Sequence, residues 1–323
     1  MGCEGSKPTA PARDGADAAT ATPPAATLIG GFVSVNQAPP DDGLERCSSC
    51  YLPTSWLAVP LIAKREYNHN TSVYSFGLPD GRSLSLPVCA CILMRAPGRG
   101  RIKDGGPADF DPEQDAVRPY TPVSESPGKF ELLVKRYENG AASQYLFGLS
   151  IGAMVEFKHI PFNIKTQYPF EGKKTFTMLC GGTGITPIFQ ALSKLMHTEG
   201  DDREVVLLYG NASVEDILLR DELSAMVTAM KGRLKVVHVI GTAADAPRPE
   251  GWVDTDAFIA ETGWVDEAKI KQYAFPPAED TLIFVCGVPM LYDVMCGPRT
   301  EKAVREGSVL ASLGYTQEMV AKM

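Results

Sequence analysis

The sequence feature that most constrains the fold is a glycine-rich turn between a short apolar run and a helical pattern. Residues 174–180 have the length and composition of a buried strand, and the Gly-Gly-Thr-Gly turn at 181–184 follows directly. Apolar residues then recur with helical spacing after Thr186 and Pro187, which suit an N-cap and a first helical residue. Because free N–H groups at a helix start attract anions, the turn predicts a pyrophosphate cradle. Glycine turns that bind nothing remain the ordinary alternative.

The overall composition indicates an acidic globular chain of two-domain length. Its 323 residues carry a formal net charge of −8, so the chain lacks the basic footprint of a nucleic-acid-binding protein. No apolar run reaches the roughly 18 residues that a membrane-spanning helix needs. The eight cysteines show no regular framework, which indicates reduced thiols in a cytosol-facing protein.

Residues 1–50, rich in Ala, Pro, Thr, Gly and Asp, predict a disordered tail. The first six residues, MGCEGS, fit the N-myristoylation pattern, and Cys3 beside Gly2 is placed for a palmitoyl chain. Two acyl chains hold a protein stably on a membrane, so we expect a lipid anchor on a cytosol-facing surface, either endoplasmic reticulum or outer mitochondrial membrane. A chance match is an equally good explanation. A mitochondrial presequence fits less well, because acidic residues surround Arg13.

Two cysteine pairs raise the question of a metal site. Cys47 and Cys50 have the C-x-x-C spacing found in zinc sites. Cys89 and Cys91 have the wrong spacing for a zinc knuckle and lie within the apolar alternation of a strand. We therefore interpret all four as ordinary thiols and expect no metal.

The first half of the chain, residues 55–168, predicts an antiparallel β-barrel domain. Short strand patterns alternate with turns, and long helical patterns are missing between them. Residues 96–117, mostly Gly, Pro, Arg and Asp, predict a long surface insertion. The predicted strands cover residues 58–66, 72–78, 88–95, 118–123, 129–137 and 154–160.

The second half, residues 174–323, predicts an α/β domain with a parallel sheet. Strand and helix patterns alternate here, and a shift in composition at 161–173 marks the domain boundary. The predicted strands cover residues 175–180, 204–210, 233–241 and 281–286, and the predicted helices cover 187–198, 214–231 and 289–296.

Three further segments carry residues suited to binding a dinucleotide. In RPYTPVS at 118–124, the arginine can pair with a pyrophosphate and the tyrosine can lie against a flat ring. GAAS at 140–143 opens a short predicted helix, which offers a second phosphate-binding N-terminus. The Cys-Gly pair at 286–287 follows a strand at the carboxyl edge of the sheet, where such folds bind ligands. Taken singly, each has an ordinary alternative: a surface ion pair, barrel packing, or a small buried side chain.

Together these motifs resemble the ferredoxin–NADP reductase superfamily, and most closely the plant-type NADH–cytochrome b5 reductases. The resemblance covers roughly residues 57–323. Its segments are YNHNT at 67–71, RPYTPVS at 118–124, VKRY at 134–137, KHIPFN at 158–163, GGTGITP at 181–187, GN at 210–211, DILLR at 216–220, CG at 286–287 and GYT at 314–316.

The resemblance implies an FAD-binding barrel followed by a Rossmann-like NADH domain, and electron transfer from NADH through FAD to cytochrome b5, an acidic haem protein. It places His69, Lys135 and Cys286 near the reacting rings. The FAD contacts that it implies are Arg118, Pro119, Tyr120, Thr121, Val134, Lys135, Tyr137, Gly140, Ala142, Ser143 and Thr186. The NADH contacts that it implies are Gly181, Gly182, Thr183, Gly184, Pro187, Cys286, Gly287, Pro289 and Met290.

Two residues after the second strand of the α/β domain bear on cofactor choice. Asn211 and Asp216 fall where an adenosine ribose would lie, and a carboxylate there accepts a ribose hydroxyl and repels a 2′-phosphate. This predicts NADH rather than NADPH. Alternatively, Asp216 pairs with Arg220 at i, i+4 or favours a helix N-terminus by its charge.

The chain departs from the family pattern in four places. Cys89-Ala90-Cys91 replaces the usual Gly-Gln-His, and Ala141 and Ala142 replace Lys-Met before the serine. The 96–117 loop is longer than usual, and the chain ends VAKM rather than near an aromatic residue. Two other functions fit less well: a flavin module of a nitrate-reductase-type chain, and a membrane-tethered flavin- or nucleotide-binding redox sensor without turnover. A local basic bias suits an acidic partner and comes from Lys135, Lys158, Lys165, Lys173 and Lys174.

Overall fold

The computed structural model describes most of the chain, and two sheets organise it. The described residues are 29–33, 40–46, 49–99, 101–102, 110–111, 114–160, 166, 168–241, 243, 248, 250–255 and 257–323. Parts of the predicted tail, at 29–33 and 40–46, are among them. The acylation pattern at 1–6, Cys47 and the tip of the predicted 96–117 insertion lie outside them.

The first domain is a seven-stranded antiparallel sheet, which confirms the predicted fold class. Its strands are β1 (Leu57–Asn68), β2 (Thr71–Gly77), β3 (Ile92–Ala96), β6 (Ala116–Tyr120), β7 (Ser124–Ser126), β8 (Lys129–Lys135) and β9 (Met154–His159). They lie in the order β6-β3-β9-β1-β2-β8-β7. Two short strands, β4 (Arg101–Ile102) and β5 (Phe110–Asp111), pair separately inside the predicted insertion.

The core of this domain is built from inward-facing apolar residues of neighbouring strands. Phe76, Phe130 and Phe157 are fully buried, and the ring centroids of Phe76 and Phe157 lie 4.7 Å apart, edge to face. A short helix, α1 (Ala141–Phe147), packs beside β3 and β6 and begins within the GAAS segment, as the sequence predicts.

The predicted strand at 88–95 begins only at Ile92. Cys89 adopts a left-handed backbone with φ of +64°, and Ala90 N donates to Pro87 O in a turn. A residue in that conformation cannot continue a strand, so the apolar alternation of this segment was misleading.

The second domain is a six-stranded parallel sheet with helices between its strands. The strands are β10 (Thr175–Gly181), β11 (Glu204–Asn211), β12 (Leu234–Ile240), β13 (Phe258–Thr262), β14 (Thr281–Cys286) and β15 (Val320–Lys322), in the order β13-β12-β11-β10-β14-β15. The helices are α2 (Ile185–His197), α3 (Arg220–Ala229), α4 (Glu267–Tyr273), α5 (Pro289–Met295) and α6 (Val309–Ser312). Alternate residues enter separate apolar clusters: Met178 packs in one and Leu179 in the other.

Two helix starts differ from the sequence predictions. A 3-10 turn at Gly182–Gly184 runs directly into α2, so Thr186 is the second helical residue and donates its hydroxyl to Thr183 O. The prediction of Thr186 as N-cap is therefore wrong. Helix α3 begins at Arg220 rather than 214, because Leu219 has φ of +59° and interrupts the helical backbone.

The described residues include no helix long and apolar enough to cross a membrane.

Candidate cofactor-binding cleft

A cleft of about 1140 Å³ lies between the two domains. The antiparallel sheet contributes the ends of β6 and β8 and the start of α1, and the parallel sheet contributes the carboxyl ends of β10, β11 and β14. Sites for one small molecule usually occupy roughly 300–1,000 Å³. The cleft is therefore large enough for more than one ligand group, and it lies at the sheet edge where α/β folds bind ligands.

Nearly all the site residues named from the sequence line this cleft. They are Arg118, Pro119, Tyr120, Thr121, Val134, Lys135, Tyr137, Gly140, Ala142, Ser143, Gly181, Gly182, Thr183, Gly184, Thr186, Pro187, Asn211, Asp216, Cys286, Gly287 and Met290. Pro289 and His69 are not among the lining residues. The His69 side chain is 54% exposed and its Nε2 lies 3.7 Å from Asp216 Oδ1.

The glycine turn brings two backbone segments into direct contact. A Cβ placed on Gly184 would overlap the carbonyl oxygen of Cys286 and lie 2.9 Å from Gly287 N. Gly182 has φ of +51°, and apart from its chain neighbours no atom of the described residues lies within 4 Å of the position that a Cβ would take. Glycine is thus required at 184 for packing, while Gly182 leaves the open backbone that a phosphate could approach.

The arginine of the RPYTPVS segment is available to a ligand. Arg118 is exposed, its Nη1 donates to Val117 O at 2.8 Å, and it forms no ion pair with any carboxylate of the described residues. The surface ion pair considered from the sequence is therefore not seen in the described part of the chain. Beside it, Tyr120 is partly buried, and burial raises the pKa of its hydroxyl.

The short turn before α1 is held in shape by its serine. Ser143 Oγ donates to Gly140 O at 3.0 Å and accepts from Tyr137 N at 3.1 Å. A Cβ on Gly140 would lie 2.5 Å from that same Ser143 Oγ. The hydroxyl therefore fixes the loop whose backbone faces the cleft.

The buried side-chain amide of Asn211 faces the cleft. Asn211 ends β11 and is 8% exposed, and within the described structure its amide contacts the Tyr209 side chain without forming a well-aligned hydrogen bond. Buried amides are almost always hydrogen-bonded. A polar ligand group in the cleft would satisfy this amide.

Asp216 lies at the junction of the domains rather than free in the nucleotide half. One carboxylate oxygen accepts from Lys135 Nζ at 2.7 Å and from Asn70 Nδ2 at 3.2 Å. Burial opposes ionisation, but these hydrogen bonds prevail and lower the pKa of Asp216. Arg220 does not pair with it, because residues before Leu219 are not helical and the guanidinium instead lies 4.4 Å from the Trp252 ring centroid.

We expect Asp216→Asn to reduce the free energy of unfolding at pH 7 by about 1.5–3 kcal/mol, through loss of the charged hydrogen bond to Lys135. Because the pKa of Asp216 is lower in the folded protein, this contribution is present above pH ~4 and is lost as pH falls through the folded pKa. Urea unfolding at pH 7 and pH 3 measures the difference. Glu215→Gln, which removes an exposed neighbouring charge, is the control. An equal difference at both pH values would contradict the assignment.

Burial favours the protonated thiol at two cysteines of the cleft. Burial raises the pKa of the Cys286 thiol to about 11 and raises that of Cys89 further. Cys89 N also donates to Gln190 Oε1 at 2.9 Å, which joins this turn of the first domain to helix α2. A thiolate nucleophile at Cys286 is therefore not available, and its side chain acts as a small apolar group or weak S–H donor.

Comparison with known proteins agrees with this arrangement. An oxidoreductase FAD-binding domain model matches residues 58–161, and an oxidoreductase NAD-binding domain model matches residues 178–297. NADH-cytochrome b5 reductase 1 of Lodderomyces elongisporus is 35% identical over 251 residues, which cover 77% of this chain and 75% of that protein. The chain belongs to the NADH–cytochrome b5 reductase family.

A plant relative and a solved structure extend the comparison. The NADH-cytochrome b5 reductase-like protein of Arabidopsis thaliana is 32% identical over 279 residues, which cover 84% of this chain and 77% of that protein. The cytochrome b5 reductase domain of Ulva prolifera nitrate reductase is 25% identical with a TM-score of 0.67, and covers 85% of this chain and 99% of that domain. Fungal and plant relatives match at similar identity, which identifies the family without selecting its plant branch.

Several cleft residues of this family member could not be found from local sequence pattern. Trp264, Asp266 and Glu267 follow β13, which is not among the strands predicted from the sequence. Met323 is the last residue, and its N donates to Val285 O at 3.0 Å while Tyr292 Oη donates to its backbone oxygen at 2.6 Å. The terminal methionine therefore lies beside the carboxyl end of β14, at the wall of the cleft.

Most of the lysines that give this family member its local basic bias already contact other groups of the protein. Lys135 binds Asp216, Lys158 lies 4.7 Å from the Trp56 ring centroid, and Lys173 donates to backbone carbonyls of Glu279 and Thr281. Lys174 is 79% exposed, and Lys165 lies outside the described residues. These residues are therefore not equally free to meet an acidic partner.

Proposed function

We propose that this chain is an NADH–cytochrome b5 reductase that takes electrons in pairs from NADH and delivers them singly to the haem of cytochrome b5. The observation that carries the proposal is the shared cleft, in which the 118–121 segment of the FAD-binding domain faces the 181–184 turn of the NAD-binding domain. FAD, when bound, supplies the chemistry that links two-electron and one-electron transfer.

The first domain offers the groups that FAD requires. Arg118 presents to the pyrophosphate a guanidinium that forms no ion pair with any described carboxylate, and the start of α1, held by Ser143, presents backbone N–H groups at 141–143. Tyr120 and Val134 form an apolar wall suited to a flat ring. These residues bind and orient; none of them needs to exchange a proton.

The second domain offers the groups that NADH requires. The open backbone at Gly182 suits the pyrophosphate, and the buried amide of Asn211 suits a ribose hydroxyl or a carboxamide. Cys286 and Gly287 lie at the end of β14, where their small size leaves room for the nicotinamide. Because Cys286 stays protonated and His69 lies outside the lining, the chain's contribution is to hold two rings together and exclude water.

Reduction of purified cytochrome b5 tests the proposed acceptor. Protein reduced anaerobically with one equivalent of NADH should reduce two equivalents of cytochrome b5, followed in the haem spectrum. Ferricyanide, which takes electrons from exposed flavins without specific docking, is the control acceptor. Turnover with ferricyanide but not with cytochrome b5 would favour another acceptor, as in a nitrate-reductase-type module, and failure with both would favour a redox sensor.

We further propose that the N-terminal MGCEGS pattern attaches the chain to a cytosol-facing membrane through two acyl groups. Gly2→Ala removes the myristoylation site and should move the protein from the membrane pellet to the supernatant after expression in eukaryotic cells. NADH–ferricyanide activity should stay at the parent level, which controls for folding. A variant that pellets with membranes as the parent does would rule out the anchor.

A further inference from the structure

Residues 29–33 cross from one domain to the other. On the first domain, Val33 N donates to Glu125 O at 2.8 Å and Glu125 N donates to Gly31 O at 3.3 Å, beside a parallel bridge between Phe32 and Glu125. On the second domain, Ile29 N donates to Glu222 Oε1 at 2.8 Å, and the Ile29 side chain is buried in an apolar cluster that is built largely on this domain. We call this segment the strap.

The strap meets both domains at one buried carboxylate. Glu222, in α3, is 6% exposed and accepts from Ile29 N and, through its other oxygen, from Tyr67 Oη at 3.3 Å. Tyr67 belongs to β1 of the first domain, and its hydroxyl in turn accepts from Leu219 N at 2.9 Å. Glu222 therefore joins three segments of chain: the strap, the first domain and the second domain.

The same junction is continuous with the wall of the cleft. Beside Tyr67, Asn68 Nδ2 donates to Glu215 O at 2.9 Å, and the next residue, Asp216, lines the cleft and binds Lys135. A shift of the second domain at Glu222 would thus be carried through the start of α3 and the 213–219 loop to the cleft. Two domains of one chain usually move relative to each other unless contacts at their interface hold them together.

We propose that the strap, fastened on Glu222, positions the NAD-binding domain against the FAD-binding domain and so sets the rate of flavin reduction. Glu222 and Ile29 are positioning residues, because neither lines the cleft. Reacting groups tolerate little displacement, and an error of about 1 Å can cost roughly 100-fold in rate. Loss of the junction should therefore slow reduction without removing either binding site.

The test uses the full chain with FAD bound and the variants Glu222→Ala, Glu222→Gln and Val33→Pro, with Asp221→Ala as a control. Asp221 is the exposed carboxylate that precedes Glu222, so its removal changes the same charge without touching the strap. Val33→Pro removes the N–H that binds Glu125 and restricts the local backbone of the strap, at a side chain that is 60% exposed. Glu222→Gln keeps an oxygen that can accept from Ile29 N.

Two readouts are needed. Amide hydrogen exchange at Ile29 and Leu219 reports the junction independently of the cofactors, and stopped-flow bleaching of the flavin at saturating NADH reports positioning. We expect Glu222→Ala to speed exchange at both amides and to slow bleaching by roughly 10- to 100-fold with an unchanged FAD dissociation constant. Val33→Pro should show a smaller effect in the same direction, while Glu222→Gln should recover most of the rate and Asp221→Ala should match the parent.

Bleaching at the parental rate in Glu222→Ala or, if that variant does not fold, in Val33→Pro would overturn the proposal. Equal slowing in Asp221→Ala would overturn it as well, because a general charge effect would then explain the result. The proposal rests on reduction of FAD by NADH; if the parent itself does not bleach, the proposed function fails, whereas faster amide exchange alone would still establish the strap.

Discussion

Gly184→Ala should abolish NADH-dependent flavin reduction and destabilise the NAD-binding domain. The added methyl group would overlap the carbonyl oxygen of Cys286 and lie 2.9 Å from Gly287 N, and neither atom belongs to a flexible side chain that could move aside. Overpacking of this kind costs about 1–3 kcal/mol, and here it also separates the two backbone turns that form the cleft wall. Thermal unfolding and stopped-flow bleaching with NADH measure the two effects.

Gly181→Ala is the matched control for that substitution. A Cβ at Gly181 would find its nearest neighbour, Gly210 O, at 3.8 Å, so ordinary van der Waals contact is all that it adds. We expect this variant to unfold close to the parent temperature. If Gly184→Ala behaved like Gly181→Ala, the close contact between the turns at 184 and 286 would be contradicted.

Arg118→Ala should raise the dissociation constant for FAD by roughly 10- to 100-fold. The guanidinium lines the cleft without an ion pair to any described carboxylate, so it can give a pyrophosphate a charge-assisted hydrogen bond. Such a bond contributes about 1.5–3 kcal/mol, and about 1.4 kcal/mol corresponds to a factor of ten. Recovery of FAD fluorescence on dilution of the holoprotein measures the loss.

Arg65→Ala serves as the control for the loss of a positive charge. Arg65 lies in β1 of the same domain and does not line the cleft. Its variant should retain FAD as the parent does. Full flavin occupancy and an unchanged dissociation constant in Arg118→Ala would remove this arginine from the site.

The parts of the structure that local patterns specify were predicted correctly. The alternation of apolar residues in 129–137 and the apolar runs before residues 181 and 287 place the strands, and the glycine turn lies at the sheet edge as expected. Local signals failed where the backbone does something unusual. Cys89 and Leu219 adopt left-handed backbone conformations that their residue types do not predict. As a result, the strand predicted at 88–95 and the helix predicted at 214–231 both begin later than expected.

The contacts that join the domains could not be predicted from the sequence, because their partners are far apart along the chain. Glu222 meets Ile29 across 193 positions, and Gln190 accepts from Cys89 N while donating to Pro122 O. Asp216 has the residue type expected of a ribose-binding carboxylate, yet Lys135 of the other domain binds it. Residue type thus indicated the chemistry near the cleft but not which partner each polar group takes.

Electron transfer through the cleft is tested most directly by an anaerobic titration of the purified, FAD-loaded protein with NADH, followed in the visible spectrum. We expect a yellow protein whose flavin absorption bleaches with one equivalent of NADH per FAD and returns when cytochrome b5 is added. A protein that binds FAD but keeps its oxidised spectrum in excess NADH would contradict the claim that the cleft joins the two cofactors for electron transfer.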